Sequence, residues 1–197
     1  GTPFIYQGQE IGMTNLRLPS ADMYPDVMTQ GNVKLASRWL SPKRVLRLTQ
    51  DTARDSARTP MQWTGGKNAG FTEGTPWFYV NENCRSVNVE AEEADPDSLL
   101  NFYRKLIAFR KSDPIVRCGT YTELLPQSPN FYVYSREFEG RKLLVIASLV
   151  EKETYFTCPE GFTLTDGELI FKNHDLNVVV NNAFTARPYE LRVYLFE

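Results

Sequence analysis

"ADPDSLLNFYRKLIAFRKSDP", residues 94–114, carries the clearest periodic signal in the chain. Asp95 has the side chain of a helix N-cap, and Pro96 suits a first helical position, where its missing N–H costs no hydrogen bond. Leu99, Phe102, Leu106 and Phe109 recur at helical spacing, joined by Leu100, Tyr103 and Ile107. That stripe predicts a helix of about four turns with a broad buried face. Arg110 and Lys111 fall in the last turn, where cations favour the negative end of the helix dipole, and Pro114 stops the helix.

Beyond Pro114 the grammar changes. "YTELL", "FYVYSREF", "KLLVIASLV", "ETYFTC", "GELIF" and "YELRVYLFE" are short runs rich in β-branched and aromatic residues. Turn signals such as Glu139-Gly140 and Pro159-Glu160-Gly161 separate them, which predicts an all-β sandwich. Upstream, "PFIYQG" reads as a short buried strand and residues 11–32 as loop. Between Val33 and Thr49 apolar residues recur, but Pro42 divides them into two short helical pieces. Residues 54–93 have little periodicity. "GGKNAGFTEGTPWF" is an irregular loop whose Phe71, Trp77 and Phe78 must cover apolar surface elsewhere. The fold class is therefore α+β in two parts, 1–112 and 113–197, with a seam near Ser112–Ile115.

The totals set limits on function. The chain has 197 residues and a formal net charge of −2, so it lacks the basic face expected of a nucleic-acid partner. No apolar run is long enough to span a bilayer. Cys84, Cys118 and Cys158 are odd in number and widely spaced, the pattern of reduced thiols in a cytoplasmic protein rather than of a disulfide framework or zinc site. "GTPFIYQGQE" lacks the basic start and cleavage site of a signal peptide and reads as a strand beginning inside a larger structure. The one histidine, His174, lies among turn formers, so a serine- or cysteine-based triad is disfavoured, and no metal site built on several His or Cys residues is expected. Glu90, Glu92, Glu93, Asp95 and Asp97 lead into the helix and read as capping acids. Glu10 and Asp55 stand apart, next to glycine and arginine, where each could equally be an ordinary salt-bridge partner.

"GTPFIYQGQEIGMTN", "ARDSARTPMQW", "NAGFTEGTPWFYVN", "VNVEAEEADPDSLLNFYRKLIAFRK" and "RPYELRVYLFE" together resemble the α-glucosidases of glycoside hydrolase family 13. The nearest branch holds oligo-1,6-glucosidase, dextran glucosidase, maltase and trehalose-6-phosphate hydrolase. The resemblance implies the last β/α unit of a (β/α)8 barrel, with residues 1–10 as the eighth strand, followed by an antiparallel β-sandwich called domain C. It implies hydrolysis of terminal α-linked glucose from short oligosaccharides or a phosphorylated disaccharide, without a cofactor. Family members are retaining enzymes, with an Asp nucleophile and a Glu acid about 5–5.5 Å apart. Those motifs are not found here, so no catalytic residue is assigned and the chain alone is expected to be inactive. "NHD" at Asn173–Asp175 copies a family triplet but follows the last barrel helix, and is rejected as catalytic.

The same resemblance assigns Arg58, or secondarily Arg54, to the floor of a glucose pocket, paired with an acid from an early barrel loop. A guanidinium fork grips two adjacent hydroxyls in a geometry that lysine cannot match. The plainer alternative is that Arg58 pairs with Asp55. Glu10, Asp55 and Trp63 are expected to support the pocket, with Pro60 and Trp63 anchoring the loop by packing. Two rival readings are a non-catalytic relative resembling the heavy-subunit ectodomain of amino-acid transporters, and a carbohydrate-binding module exposing Tyr132, Tyr134 or Phe156. Residues 1–110 are also expected to expose apolar patches and to invite self-association.

Overall fold

The computed structural model describes residues 2–197. They form two compact units, the first ending at Ile107 and the second running Ala108–Glu197.

The first unit is helical and irregular. Helices α1 (Val27–Ala36) and α2 (Pro42–Thr52) flank the break expected at Pro42, which opens α2 as its first helical residue. Helix α1 begins inside the segment read as loop, because Asp26 caps it. Helix α3 (Val89–Ala94) follows the irregular stretch, and α4 (Leu99–Ser112) runs on past the unit boundary. A small core gathers Leu16, Leu18, Tyr24 and Ala53 under Met23 and Phe78.

Three expectations fail here. Residues 3–6 form no strand, because a strand needs a neighbour for its ladder and the described residues offer none; Phe4 is 93% exposed. Helix α4 starts at Leu99 rather than beside Asp95. Ser98 acts as its cap, accepting the Asn101 N–H on Oγ at 3.2 Å, while Asp95 closes a turn onto the Asp97 N–H at 2.9 Å. Its apolar stripe is half-buried at best, with Leu99 and Ile107 exposed. Val27, Trp39 and Met28 are also exposed, so much apolar surface of this unit faces water.

The second unit is the strand-rich one. Pro114 opens the short α5 (Pro114–Cys118), whose first turn is capped by Asp113 Oδ1 accepting the Ile115 N–H at 2.9 Å. Strands β1 (Thr120–Glu123), β2 (Phe131–Phe138), β3 (Arg141–Ser148), β5 (Glu168–Lys172) and β7 (Leu191–Phe196) make an antiparallel sheet in the order β1-β2-β3-β7-β5. Strands β4 (Thr154–Thr157) and β6 (Ala183–Ala186) form a second, two-stranded sheet. The β2–β3 hairpin turns at Glu139 and Gly140, with φ of 50° and 84°. That pairing of positive φ values gives the tight turn whose twist suits a hairpin.

Alternation sorts the large sheet into two faces. Val133, Leu144, Ile146 and Tyr194 meet Phe156 and Phe184 of the small sheet. Leu143, Val145, Val193 and Leu195 pack with Ile115 and Phe109. Within the same unit Glu190 and Arg192 are a fully buried ion pair, Nε to Oε1 at 2.6 Å.

Candidate functional site

The approach to Asp26 is fixed from both sides. Tyr24 is fully buried; its hydroxyl donates to the Leu16 carbonyl at 2.8 Å and accepts the Leu18 N–H at 2.9 Å. Gln30 of α1 donates back to the carbonyls of Ala21 and Tyr24 at 3.0 and 2.6 Å. Asp26 then caps α1, with Oδ1 accepting the Met28 and Thr29 N–H groups at 3.1 and 3.2 Å.

Asp55 and Arg58 lie three apart in a 3-10 turn, Arg54–Arg58, where side chains at that spacing eclipse. Both reach Asp26. The buried carboxylate of Asp55 accepts the Asp26 N–H at 3.2 and 3.4 Å, and Arg58 Nη1 donates to Asp26 Oδ2 at 2.7 Å. The hydrogen bond from Arg58 holds the Asp26 carboxyl below the usual carboxylate range, aided by the Thr29 amide and the charge of Arg54. Asp26's side chain is 10% exposed, whereas Arg58's remains 49% exposed. The other N–H groups of that guanidinium meet no acceptor among the described residues. The turn itself is tied at two carbonyls: the Tyr6 hydroxyl donates to Ala57 at 3.0 Å and the Trp77 indole to Arg58 at 3.2 Å.

Among the described residues Arg58 thus pairs with Asp26 and not with Asp55. Arg54 is exposed and acts on Asp26 through charge alone. Trp63 corrects an expectation: its side chain is 48% exposed, and the buried anchors of the loop are Pro60 and Gln62. Trp63 holds its place through the backbone, donating to Ala69 at 2.9 Å and accepting from Glu90 at 3.0 Å. Glu10 sits in the 3-10 turn Gln9–Ile11, one carboxylate oxygen buried and without a partner among the described residues. The nearest hollow, about 320 Å³, is lined by Tyr6, Met13, Asp51, Ser56 and Thr59 among others, and none of Glu10, Arg54, Asp55, Arg58 or Trp63 lines it.

Sequence reasoning missed Asp26. The signal was an Asp set before a helical run in "YPDVMTQ", hidden by the proline and polar residues around it. The remaining candidates have structural roles. Asn173 of the "NHD" triplet donates to the Tyr189 carbonyl at 2.9 Å and accepts the Leu191 N–H at 2.7 Å, and His174 Nε2 lies 3.1 Å from the Pro188 carbonyl. Of the aromatics a carbohydrate-binding module would expose, Phe156 is buried in the core, Tyr134 is half-buried and Tyr132 is 40% exposed. Cys84, Cys118 and Cys158 are free thiols. Among the described residues no group of His, Cys, Asp and Glu gathers as a metal site, and no helix is long and apolar enough to cross a membrane.

The family described as alpha amylase, catalytic domain, matches residues 1–119. The chain belongs to the alpha-amylase family. Among its relatives in that family, the oligo-1,6-glucosidase of Parageobacillus thermoglucosidasius is 41% identical over 98% of this chain and 35% of its own length. The trehalose-6-phosphate hydrolase of Escherichia coli (strain K12) is 39% identical, over 96% of this chain and 34% of its own. The crystal structure of the Bacillus licheniformis trehalose-6-phosphate hydrolase superposes with a TM-score of 0.92 at 36% identity, covering all of this chain and 36% of that one. These matches bear out the likeness to family 13 α-glucosidases read from "ARTPMQW" and its neighbours. They also show that the chain spans about 35% of its alpha-amylase relatives' length.

Proposed function

We propose that this chain is the carboxy-terminal part of a retaining α-glucosidase acting on terminal α-linked glucose in short oligosaccharides or a phosphorylated disaccharide. In this reading residues 1–112 complete the catalytic barrel and residues 113–197 are domain C. The nucleophile and general acid belong to polypeptide outside these 197 residues, the protein works in the cytoplasm, and the chain alone has no turnover. The share of relatives' length supports this division of labour.

The observation that carries the reading is the state of Arg58. One nitrogen of its fork is fixed at 2.7 Å by a carboxylate that is itself held by two backbone N–H groups, and the rest of the fork faces water. Such a group offers several donors and no acceptor, which suits the hydroxyls of a neutral sugar. Asp55 supports it by holding the Asp26 backbone.

The test uses the purified chain. It should release no glucose from p-nitrophenyl α-glucoside, while methyl α-glucoside should shift the Arg58 Nε–H resonance in a saturable way. Arg58→Ala should abolish sugar binding and Arg58→Lys should leave most of the loss. Turnover by the chain alone that disappears in Arg58→Ala would overturn the proposal.

A further inference from the structure

Tyr121 of β1 and Tyr132 of β2 meet hydroxyl to hydroxyl, with the two oxygens 3.0 Å apart. Strand pairing alone does not bring them together. Tyr121 stands opposite Arg136, four residues along β2 from Tyr132, so about 13 Å of strand separates the two positions. Alternation puts Tyr121, Tyr132, Tyr134 and Arg136 on one face of the sheet. The two outer side chains therefore lean towards each other along that face. Half-buried Tyr134 sits against both, its ring centroid 5.4 Å from each of theirs at tilts of 38° and 47°. Arg136 fixes the start of β1 on β2: Nε donates to the Ile115 carbonyl at 3.0 Å and Nη2 to the Gly119 carbonyl at 2.8 Å.

Both outer rings are open to solvent, Tyr121 at 45% and Tyr132 at 40% exposure. A hydroxyl pair so open to water adds little to stability, because each oxygen only exchanges a water for its neighbour. What the arrangement provides is proximity. A phenol that has lost an electron and a proton carries much of its unpaired spin on the carbons next to the oxygen-bearing one. Two phenols that touch at oxygen hold those coupling carbons close.

We propose that Tyr121 and Tyr132 are an oxidative modification site, where a one-electron oxidant, a heme peroxidase supplied with hydrogen peroxide, joins the two rings as a dityrosine staple. Each phenol loses one electron and its hydroxyl proton, and the two ortho carbons form a carbon–carbon bond. Each ring then sheds its ortho hydrogen as a proton while its oxygen takes one back. Both hydroxyls are restored, and two hydrogen atoms are lost in all. The peroxide takes up those two electrons and two protons, its O–O bond breaks, and two waters leave. The staple fastens β1, an edge strand of the large sheet, to its neighbour. The site lies wholly in the strand-rich unit and is independent of the role assigned to Arg58.

The test treats the purified chain, dilute, with a heme peroxidase and hydrogen peroxide. Trypsin together with a protease that cuts after Glu123 separates residues 118–123, which carry Tyr121, from 124–136, which carry Tyr132 and Tyr134. The two peptides should be recovered as one dityrosine-fluorescent species, lighter than their sum by two hydrogen atoms, from chains that remain monomeric on a denaturing gel. Tyr121→Phe and Tyr132→Phe should each abolish that species, and Tyr134→Phe should keep it. All three variants retain the ring, and amide protection at Val145 of β3 checks that the sheet is intact. Tyr6, Tyr79, Tyr155 and Tyr189 are an internal control: each is at least 50% exposed, and among the described residues none sets its hydroxyl on that of another tyrosine. Links that join separate chains through those four would show that exposure governs the reaction and overturn the proposal. So would a joined species that survives in Tyr132→Phe, or the absence of any joined species.

Discussion

Replacing Arg192 by methionine should destabilise the strand-rich unit more than any surface change. Arg192 and Glu190 are each 1% exposed and meet at 2.6 Å. The guanidinium also donates to the Asn177 carbonyl at 3.1 Å and lies 3.4 Å from the centroid of Phe184. Methionine fills much of the space but leaves the Glu190 carboxylate with one backbone donor, the Arg187 N–H at 2.9 Å, and no cation. Removing one partner of a buried pair costs about 3–5 kcal/mol, chiefly the uncompensated charge. The double variant Glu190→Gln with Arg192→Met holds no buried charge and should recover about 2 kcal/mol of that loss. All three tryptophans precede residue 108, so indole fluorescence reports the other unit. Amide exchange at Val145 of β3 and Val193 of β7 reads the right one. Protection that falls by less than about 1 kcal/mol in Arg192→Met, or a double variant as weak as the sum of the singles, would refute the reasoning.

Asp26 titrates below its ordinary 3.8. Its contribution to stability is therefore complete above that value and lost as pH falls through the lower folded one. The Asp26 carboxyl carbon shift should report this, and Arg58→Ala should bring the midpoint back up. Tyr121 is pushed up to about 12, first by its hydrogen bond with the Tyr132 hydroxyl at 3.0 Å. A spectrophotometric titration should show that late step, and Tyr132→Phe should return it towards 10.0. Ala69→Val places a β-branched side chain at a φ of 53° inside the buried turn and should cost about 1–3 kcal/mol in urea unfolding followed by tryptophan fluorescence.

What could be read in advance follows from where each signal is stored. β2 and β3 were legible because Phe131, Val133, Leu144 and Ile146 alternate with polar or opposite-face residues over eight positions. β6, "AFTA", is not legible: it is four residues long and two of them are alanines, which carry little strand preference, while Phe184 and Ala186 join the core only through tertiary packing. Helix α4 was found but started early, since Asp95 and Pro96 imitate a cap that Ser98 in fact supplies. The unpaired segment at residues 3–6 looked like a strand because apolar composition is local, whereas ladder partners are not. At the site, Arg58 and Asp55 stand out only through the family resemblance of the motif around them. Asp26 was not legible, because it lies 32 residues from Arg58 and meets it through tertiary structure alone.

If Arg58 holds a sugar as proposed, the value of the Asp26–Arg58 pair lies in what it removes from the cost of binding. A free arginine must surrender several rotatable bonds to grip a hydroxyl pair, and that entropy weakens the complex. Here one nitrogen is already fixed, and its anchor is rigid because Asp26 is an N-cap whose backbone is held in turn by Asp55. The bond is half-exposed, so it adds little to folding. The two backbones that carry the pair are each held by a side chain, Asp26 by Asp55 and Arg58 by the Trp77 indole, so the proposed grip would start from a fixed geometry.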